Sequence, residues 1–144
     1  MRTTASLIAI VGLLAAGRAI SAESLTLVER AVSDKVVEVG SAKGDALGNL
    51  LVFANPVYGA GNRIKVGSDQ GYCIRVVPGH SWECFWTLML KGGQITTEGP
   101  FYDKADSVLT ITGGTGKYAG AKGKLLLHAR DPLGATYDFK YEIL

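Results

Sequence analysis

Beyond residue 22, almost every apolar run in this chain is short and is stopped by Gly, Pro, Asn or Asp. SLTLVER, NLLVFANP, RIKVG, GYCIRVV, ECFWTLML, QITTEG, SVLTITG, KLLLHAR and ATYDFKYEI succeed one another, and none sustains a helical period. The last is the clearest. Tyr137, Phe139, Tyr141 and Ile143 alternate with Asp138, Lys140 and Glu142, the period of a half-buried strand. Eight or nine strands with hairpin-length links predict a closed or nearly closed antiparallel sheet. Closure removes the edges that a chain rich in Thr, Val and Tyr must otherwise protect. The expected fold class is all-β: a single antiparallel β-barrel of about eight strands over residues 23–144, with no second domain.

The glycine-dense stretch TITGGTGKYAGAKGKLLLHA, residues 110–129, tests that reading, because glycines among lysines also build phosphate loops. A Walker-type loop needs glycine where Ile111 stands and Ser or Thr where Tyr118 stands. The dinucleotide pattern fits Gly114 and Gly116 and tolerates Ala119, but the segment after Gly123 is too short for a helix before Pro132. SVLTIT is therefore a strand, GGTGKYAGAKG a turn with a bulged continuation, and KLLLHAR the next strand.

Residues 1–22, MRTTASLIAIVGLLAAGRAISA, combine Arg2, an uncharged run from Ala5 to Gly17, and small residues before Glu23. That is the layout of a signal peptide, cleaved after Ser21 or Ala22, with an apolar run short for a bilayer. Export makes the expected location secreted or periplasmic, with no membrane span in the mature chain. Cleavage removes Arg2 and Arg18 and no acid, so 15 basic side chains fall to 13 against 13 acidic ones. The formal +2 of the full chain thus gives no argument for nucleic acid, and the aromatics do not interleave with Arg or Lys as a stacking platform requires. In an oxidising compartment Cys73 and Cys84, flanking IRVVPGHSWE with its Pro78-Gly79 turn, are a disulfide candidate. A bridge there closes a short loop, worth on the order of 3 kcal/mol; unbridged, Cys73 is a thiol.

GQITTEGPFYDKADSVLTITGGTGKYAGAKGKL resembles the C-terminal half of the plant allene oxide cyclases, where a Gly-Pro-aromatic step precedes a strand ending in a similar Gly-Gly turn. GGTGKYAGAKG is similar to the corresponding turn of dirigent proteins, which share that barrel. Upstream, GDALGNLLVFANPVYGAGNRIKVGSDQGYC is similar to the cyclase order of strand, Phe-x-Asn, Tyr, loop and Gly-x-Cys strand, with Phe53, Asn55, Tyr58 and Cys73 in those places. The resemblance implies a lumen that binds an unstable allylic epoxide, a glutamate that stabilises the developing cation, and a water held by asparagines. Carried over by position, Glu29 is the implied catalytic acid and Asn55 one water-holding asparagine; Phe53, Tyr58, Cys73 and Phe101 are the implied ligand contacts. Two positions depart from the pattern: Ala31 stands for the second asparagine and Phe101 for the tyrosine after Gly-Pro. Dirigent proteins instead steer phenoxy radicals, which assigns Asp34 or Glu29 to a ligand hydroxyl. The resemblance also implies a dimer or trimer and no cofactor.

Parity supports part of this. Leu25, Leu27 and Glu29 share one strand face, and Leu51, Phe53 and Asn55 another, so each polar group sits among large apolar residues. The Cys73 strand argues the other way, with Tyr72, Ile74 and Val76 forming its more apolar face; either a bulge intervenes or both faces are apolar. Plainer readings stand beside these: Glu29 paired with Arg30 or Lys35, Asn55 as a turn residue before Pro56, and Trp82, Phe85 and Trp86 as packing. His80 and His128 have no partners at metal-ligand spacing, and no nucleophile elbow is present. The expected partner is a small apolar or phenolic molecule, and the function classes are a cyclase or isomerase, a binding protein without turnover, and a structural barrel with a filled interior.

Overall fold

Period-two alternation decides the elements. In the computed structural model, which describes residues 23–144, Phe139, Tyr141 and Ile143 of the last strand are buried while Lys140 is exposed. Nine strands run in order: β1 (Glu23–Arg30), β2 (Lys35–Val37), β3 (Leu50–Gly59), β4 (Lys65–Val77), β5 (Ser81–Leu90), β6 (Gly93–Tyr102), β7 (Ser107–Gly114), β8 (Gly123–Ala129) and β9 (Thr136–Ile143). A 3-10 turn, Gly116–Tyr118, is the one helical segment among the described residues. The signal-peptide assignment, residues 1–22, lies outside them.

From β3 to β9 each strand pairs antiparallel with the next, and β1 pairs with both β9 and β3. The second pairing, Leu27 to Glu29 against Gly59 to Val57, closes an eight-stranded barrel, and β2 adds a short extra strand along the start of β3. Closure forces strands to tilt and stagger. As a result the last residues of β1 meet the last residues of β3.

The all-β barrel read from the sequence is the fold found, with one revision inside it. RIKVG and GYCIRVV are a single 13-residue strand, β4, that runs through Ser68, Asp69 and Gln70 without turning. Its inward side carries Asp69, Cys73 and Arg75, all buried, while Tyr72, Ile74 and Val76 are exposed. The more apolar face thus points outward. A bulge does occur, between Arg75 and Val77, but it lies past Cys73 and leaves the cysteine inside.

The glycine-dense stretch is one corner of the barrel. Gly116 takes φ 59°, and a side chain there would strike the carbonyl of Gly92 in the β5–β6 turn. The Lys117 N–H donates to that same carbonyl at 2.8 Å. Tyr118 and Ala121 then join the buried cluster with Ile95, Ile111 and Ile143, which stops this end of the barrel. Leu88, Ile95, Leu109 and Leu125 are at most 1% exposed, each contributing about 1.5–3 kcal/mol of burial.

Candidate functional site

At the opposite end the interior is not filled. An inner cavity of about 70 Å³ is walled by the rings of Phe53, Trp86, Phe101, Tyr137 and Phe139, with Glu29 and Asp34 as its acids. The rings interlock. Trp86 stacks on Phe139 at 5.8 Å and meets Phe53 edge-on at 6.0 Å, and its indole N–H donates to the Tyr141 hydroxyl at 3.3 Å.

Glu29 ends the inward row Leu25–Leu27–Glu29 of β1 and is 5% exposed. In register it lies between Val57 of β3 and Tyr137 of β9. Asn55, also buried, donates one amide hydrogen to Glu29 Oε1 at 2.7 Å and the other to Asp34 Oδ1 at 2.6 Å. Its carbonyl oxygen accepts from the backbone N–H groups of Val32 and Ser33 and from the Ser33 hydroxyl, each at 3.0 Å. Every donor and acceptor of Asn55 is therefore spent. It straps the turn between β1 and β2 across the barrel mouth and carries Asp34 to the cavity.

A further acid lies behind Glu29. Asp69 pairs in register with Asn55 and Leu88, is 0% exposed, and has no hydrogen-bond donor on either carboxyl oxygen. The N–H groups of Asn55 and Asp69 approach near enough to favour its ionised form somewhat, but not in hydrogen-bond geometry. Burial, and then the charge of Asp34, push Asp69 from 3.8 up to about 7. Burial, and then the charge of Asp69, raise Glu29 well above the usual carboxylate range. Burial, and then the charges of Glu29 and Asp34, push the Tyr137 phenol up to about 12. Among the described residues, no lysine, arginine or histidine lines the cavity. The one buried arginine among them, Arg75, lies six residues along β4, about 20 Å away. It is committed at the rim, stacked 3.8 Å over Trp82, donating from Nη1 to both oxygens of Asp103 at 2.8 Å, with its Nε 2.6 Å from Asp45 but off the hydrogen-bond direction.

Phe101 and Tyr137 meet edge-on at 5.9 Å and form the outer wall of the cavity. On their far side is a vestibule of about 600 Å³ between the β6–β7 and β8–β9 loops, sharing Phe101, Leu127 and Tyr137 with the inner cavity. Asp131 staples the second loop by accepting from Leu133, Ala135 and Thr136 N–H groups and the Thr136 hydroxyl at 3.0–3.1 Å. That fold puts the Tyr137 hydroxyl where any side chain on Gly134 would sit.

Of the residues singled out from the sequence, Glu29, Phe53, Cys73 and Phe101 border the cavity, and Asn55 lies behind the two acids it bridges. Cys73 stands opposite Cys84 and is joined to it as a disulfide, so the wall there is two sulfurs with no thiol. Tyr58 lies apart from the cavity. It comes after Val57 on β3, so alternation turns it to the outer face, where the Arg30 guanidinium covers its ring at 3.8 Å. The sequence reading missed Asp69, Trp86 and Tyr137 as site residues. Asp69 shares parity with Cys73, but GSDQG reads as a turn. His128 pairs with Asp106 on the surface, and His80 packs on Tyr102. No helix among the described residues is long and apolar enough to cross a membrane.

The fold and this site define a class: a closed antiparallel barrel, plugged at one end, with an acid-bearing aromatic lumen at the other. Residues 24–140 match the profile of the allene oxide cyclase family, and the chain belongs to that family. Among solved structures, a pyocyanin demethylase is 27% identical, with 81% of this chain and 98% of that one covered at a TM-score of 0.66. A pterocarpan synthase dirigent protein is 17% identical, covering 85% and 83% at a TM-score of 0.68. An exo-specific intermolecular Diels-Alderase is also 17% identical, covering 85% and 98% at 0.66. The last two share the fold.

Proposed function

We infer that the lumen binds a small apolar or aromatic molecule and guides its cyclisation or isomerisation, with Glu29 at the reacting end. The observation that carries this is one buried carboxyl facing a cavity whose other walls are largely aromatic. Such a site needs few polar groups, because folding the guest toward its reactive geometry supplies much of the rate. An inner space of about 70 Å³ is far below the usual ligand scale of roughly 300–1,000 Å³, whereas the vestibule of about 600 Å³ is within it. The guest therefore rests mainly in the vestibule and passes its reacting end between Phe101 and Tyr137. Membership of a cyclase family supports this use of the lumen, as does the likeness to a protein named for demethylating pyocyanin.

Native mass spectrometry of the purified protein tests binding by the mass of a co-purifying guest. Incubation with an unsaturated epoxide or a phenolic radical source tests guidance. Product stereochemistry unchanged from buffer ends the guiding role, and full activity of Glu29→Gln ends the assignment of the acid.

The small inner cavity favours a second reading, a structural barrel with a filled interior. Under that reading Phe101→Ala leaves small-molecule occupancy at zero, whereas under the first it speeds entry. Export completes the proposal: residues 1–22 are removed and the protein is secreted or periplasmic, which the Cys73–Cys84 bridge supports. Intact mass of the exported protein reads the cleavage. Assembly as a dimer or trimer is read by sedimentation, with Tyr72, Ile74 and Val76 on the outer face of β4 as the surface to mutate.

A further inference from the structure

We propose that Asp69, hidden behind Glu29, keeps Glu29 as a proton-bearing carboxylic acid, so that Glu29 meets its guest as a proton donor and the guest class is one with a basic oxygen or nitrogen. The inference rests on the lumen reading above. Two observations carry it. Asp69 is fully buried with neither oxygen receiving a donor, and an ionised carboxylate left so is strongly disfavoured. No neutral donor reaches it, so the donor it lacks is a proton on a neighbouring carboxyl, and that neighbour is Glu29, whose side chain stands within hydrogen-bond reach of Asp69.

The surroundings leave no other solution. From β3 the nearest polar group is Asn55, whose amide hydrogens already go to Glu29 and Asp34. From β9 come the hydroxyls of Tyr137 and Tyr141, kept as neutral phenols by burial, and from β6 the buried Thr97 hydroxyl, but none of the three bonds either Asp69 oxygen. From β5 comes Leu88. Asp34 adds a further negative charge, and no basic side chain among the described residues lines the cavity to balance it. Glu29 Oε1 accepts from Asn55, so the shared proton belongs on Oε2. Glu29 faces the cavity and Asp69 does not, so Asp69 is a positioning residue and Glu29 the group that touches the guest.

The step balances without a co-reactant. The Glu29 O–H bond breaks, a lone pair on the guest oxygen or nitrogen forms the new bond to that proton, and a carboxylate is left beside the cation. An epoxide, carbonyl or aromatic nitrogen accepts such a proton; a guest without a basic atom does not.

Infrared spectroscopy of the ligand-free protein tests the pair directly. At pH 8, where Asp69 has largely lost its own proton, the wild type is expected to show a protonated-carboxyl C=O band that is absent in Glu29→Gln. In Asp69→Asn the band is expected to titrate away at least one pH unit lower, a tenfold loss of proton affinity, and Asp69→Glu is expected to restore it. A structural role for Asp69 moves no band. Absence of the band in the wild type, or an unmoved midpoint in Asp69→Asn, overturns the proposal. Should Asp69→Asn fail to fold, the wild-type and Glu29→Gln spectra still decide it. Acridine, whose fluorescence separates base from cation, tests delivery. Bound to the wild type it is expected to emit as the cation and in Glu29→Gln as the neutral base. Neutral emission from both, with the band present, overturns the donor role. Failure of acridine to bind with the band intact counts against the lumen reading and the guest class alone.

Discussion

Raising the pH from 5 to 8 should destabilise this barrel, and the size of the effect is set by Asp69. Its carboxyl is displaced upward from 3.8 to about 7 by burial and by Asp34. A group raised in the folded state holds its proton there while the unfolded chain has lost it. The folded state is thus favoured fully below the unfolded value, and the advantage disappears as pH climbs through about 7. At about 1.4 kcal/mol per pH unit the whole displacement is on the order of 4 kcal/mol. By the linkage relation, roughly 2.5 kcal/mol of that falls between pH 5 and pH 8. Glu29 is displaced the same way and adds to it. The acids displaced downward, Glu38, Asp131 and Glu142, titrate below this window. With a urea dependence of about 1–3 kcal/mol per molar, the unfolding midpoint should fall by roughly 1–2 M across the window. In Asp69→Asn the share of that slope set by Asp69 should vanish while the share carried by Glu29 remains, leaving the variant more stable than wild type at pH 8. A wild-type midpoint that is flat or rising between pH 5 and 8 refutes the reasoning, because it means the two acids are not held apart from water.

Asn55→Ala removes the strap that holds Glu29, Asp34 and the β1–β2 turn, and should cost about 3 kcal/mol in urea unfolding, with increased amide exchange at Val32 and Ser33. Replacing both Cys73 and Cys84 by alanine should cost about 3 kcal/mol, lowering the melting temperature without changing the strand content seen by circular dichroism. Arg75→Met tests the rim. Leaving Asp103 and the Trp82 face without their cation should cost about 2–4 kcal/mol, with less loss in the double variant Arg75→Met/Asp103→Asn measured in the same series.

The strands were legible one by one, because alternation and chain-breaking residues act over a few positions. In β9 the inward row Tyr137–Phe139–Tyr141–Ile143 is written directly in the sequence, and the glycine-dense stretch reads as a barrel corner for the same reason. Parity on β1 and β3 also placed Glu29, Phe53 and Asn55 on inner faces. It failed on β4, where Arg75 finds Asp103 and Trp82 inside and is buried in spite of its charge, while Ile74 and Val76 stay outside. Tyr58 lies on the outer face of β3, and the family pattern gives its spacing but not its face.

The sequence by itself determined a set of alternating strands, their hairpin order and an acid on the inner side of the first, all consequences of short-range sterics and burial. Tertiary structure alone decided that Glu29 and Asp69, 40 positions apart, share one dry pocket. Closure of β1 onto β3 at a staggered register brings them together, and no local pattern records that stagger. The lumen then removes the water and withholds the cations that elsewhere keep carboxyls ionised, and so turns two ordinary acids into one proton-holding pair.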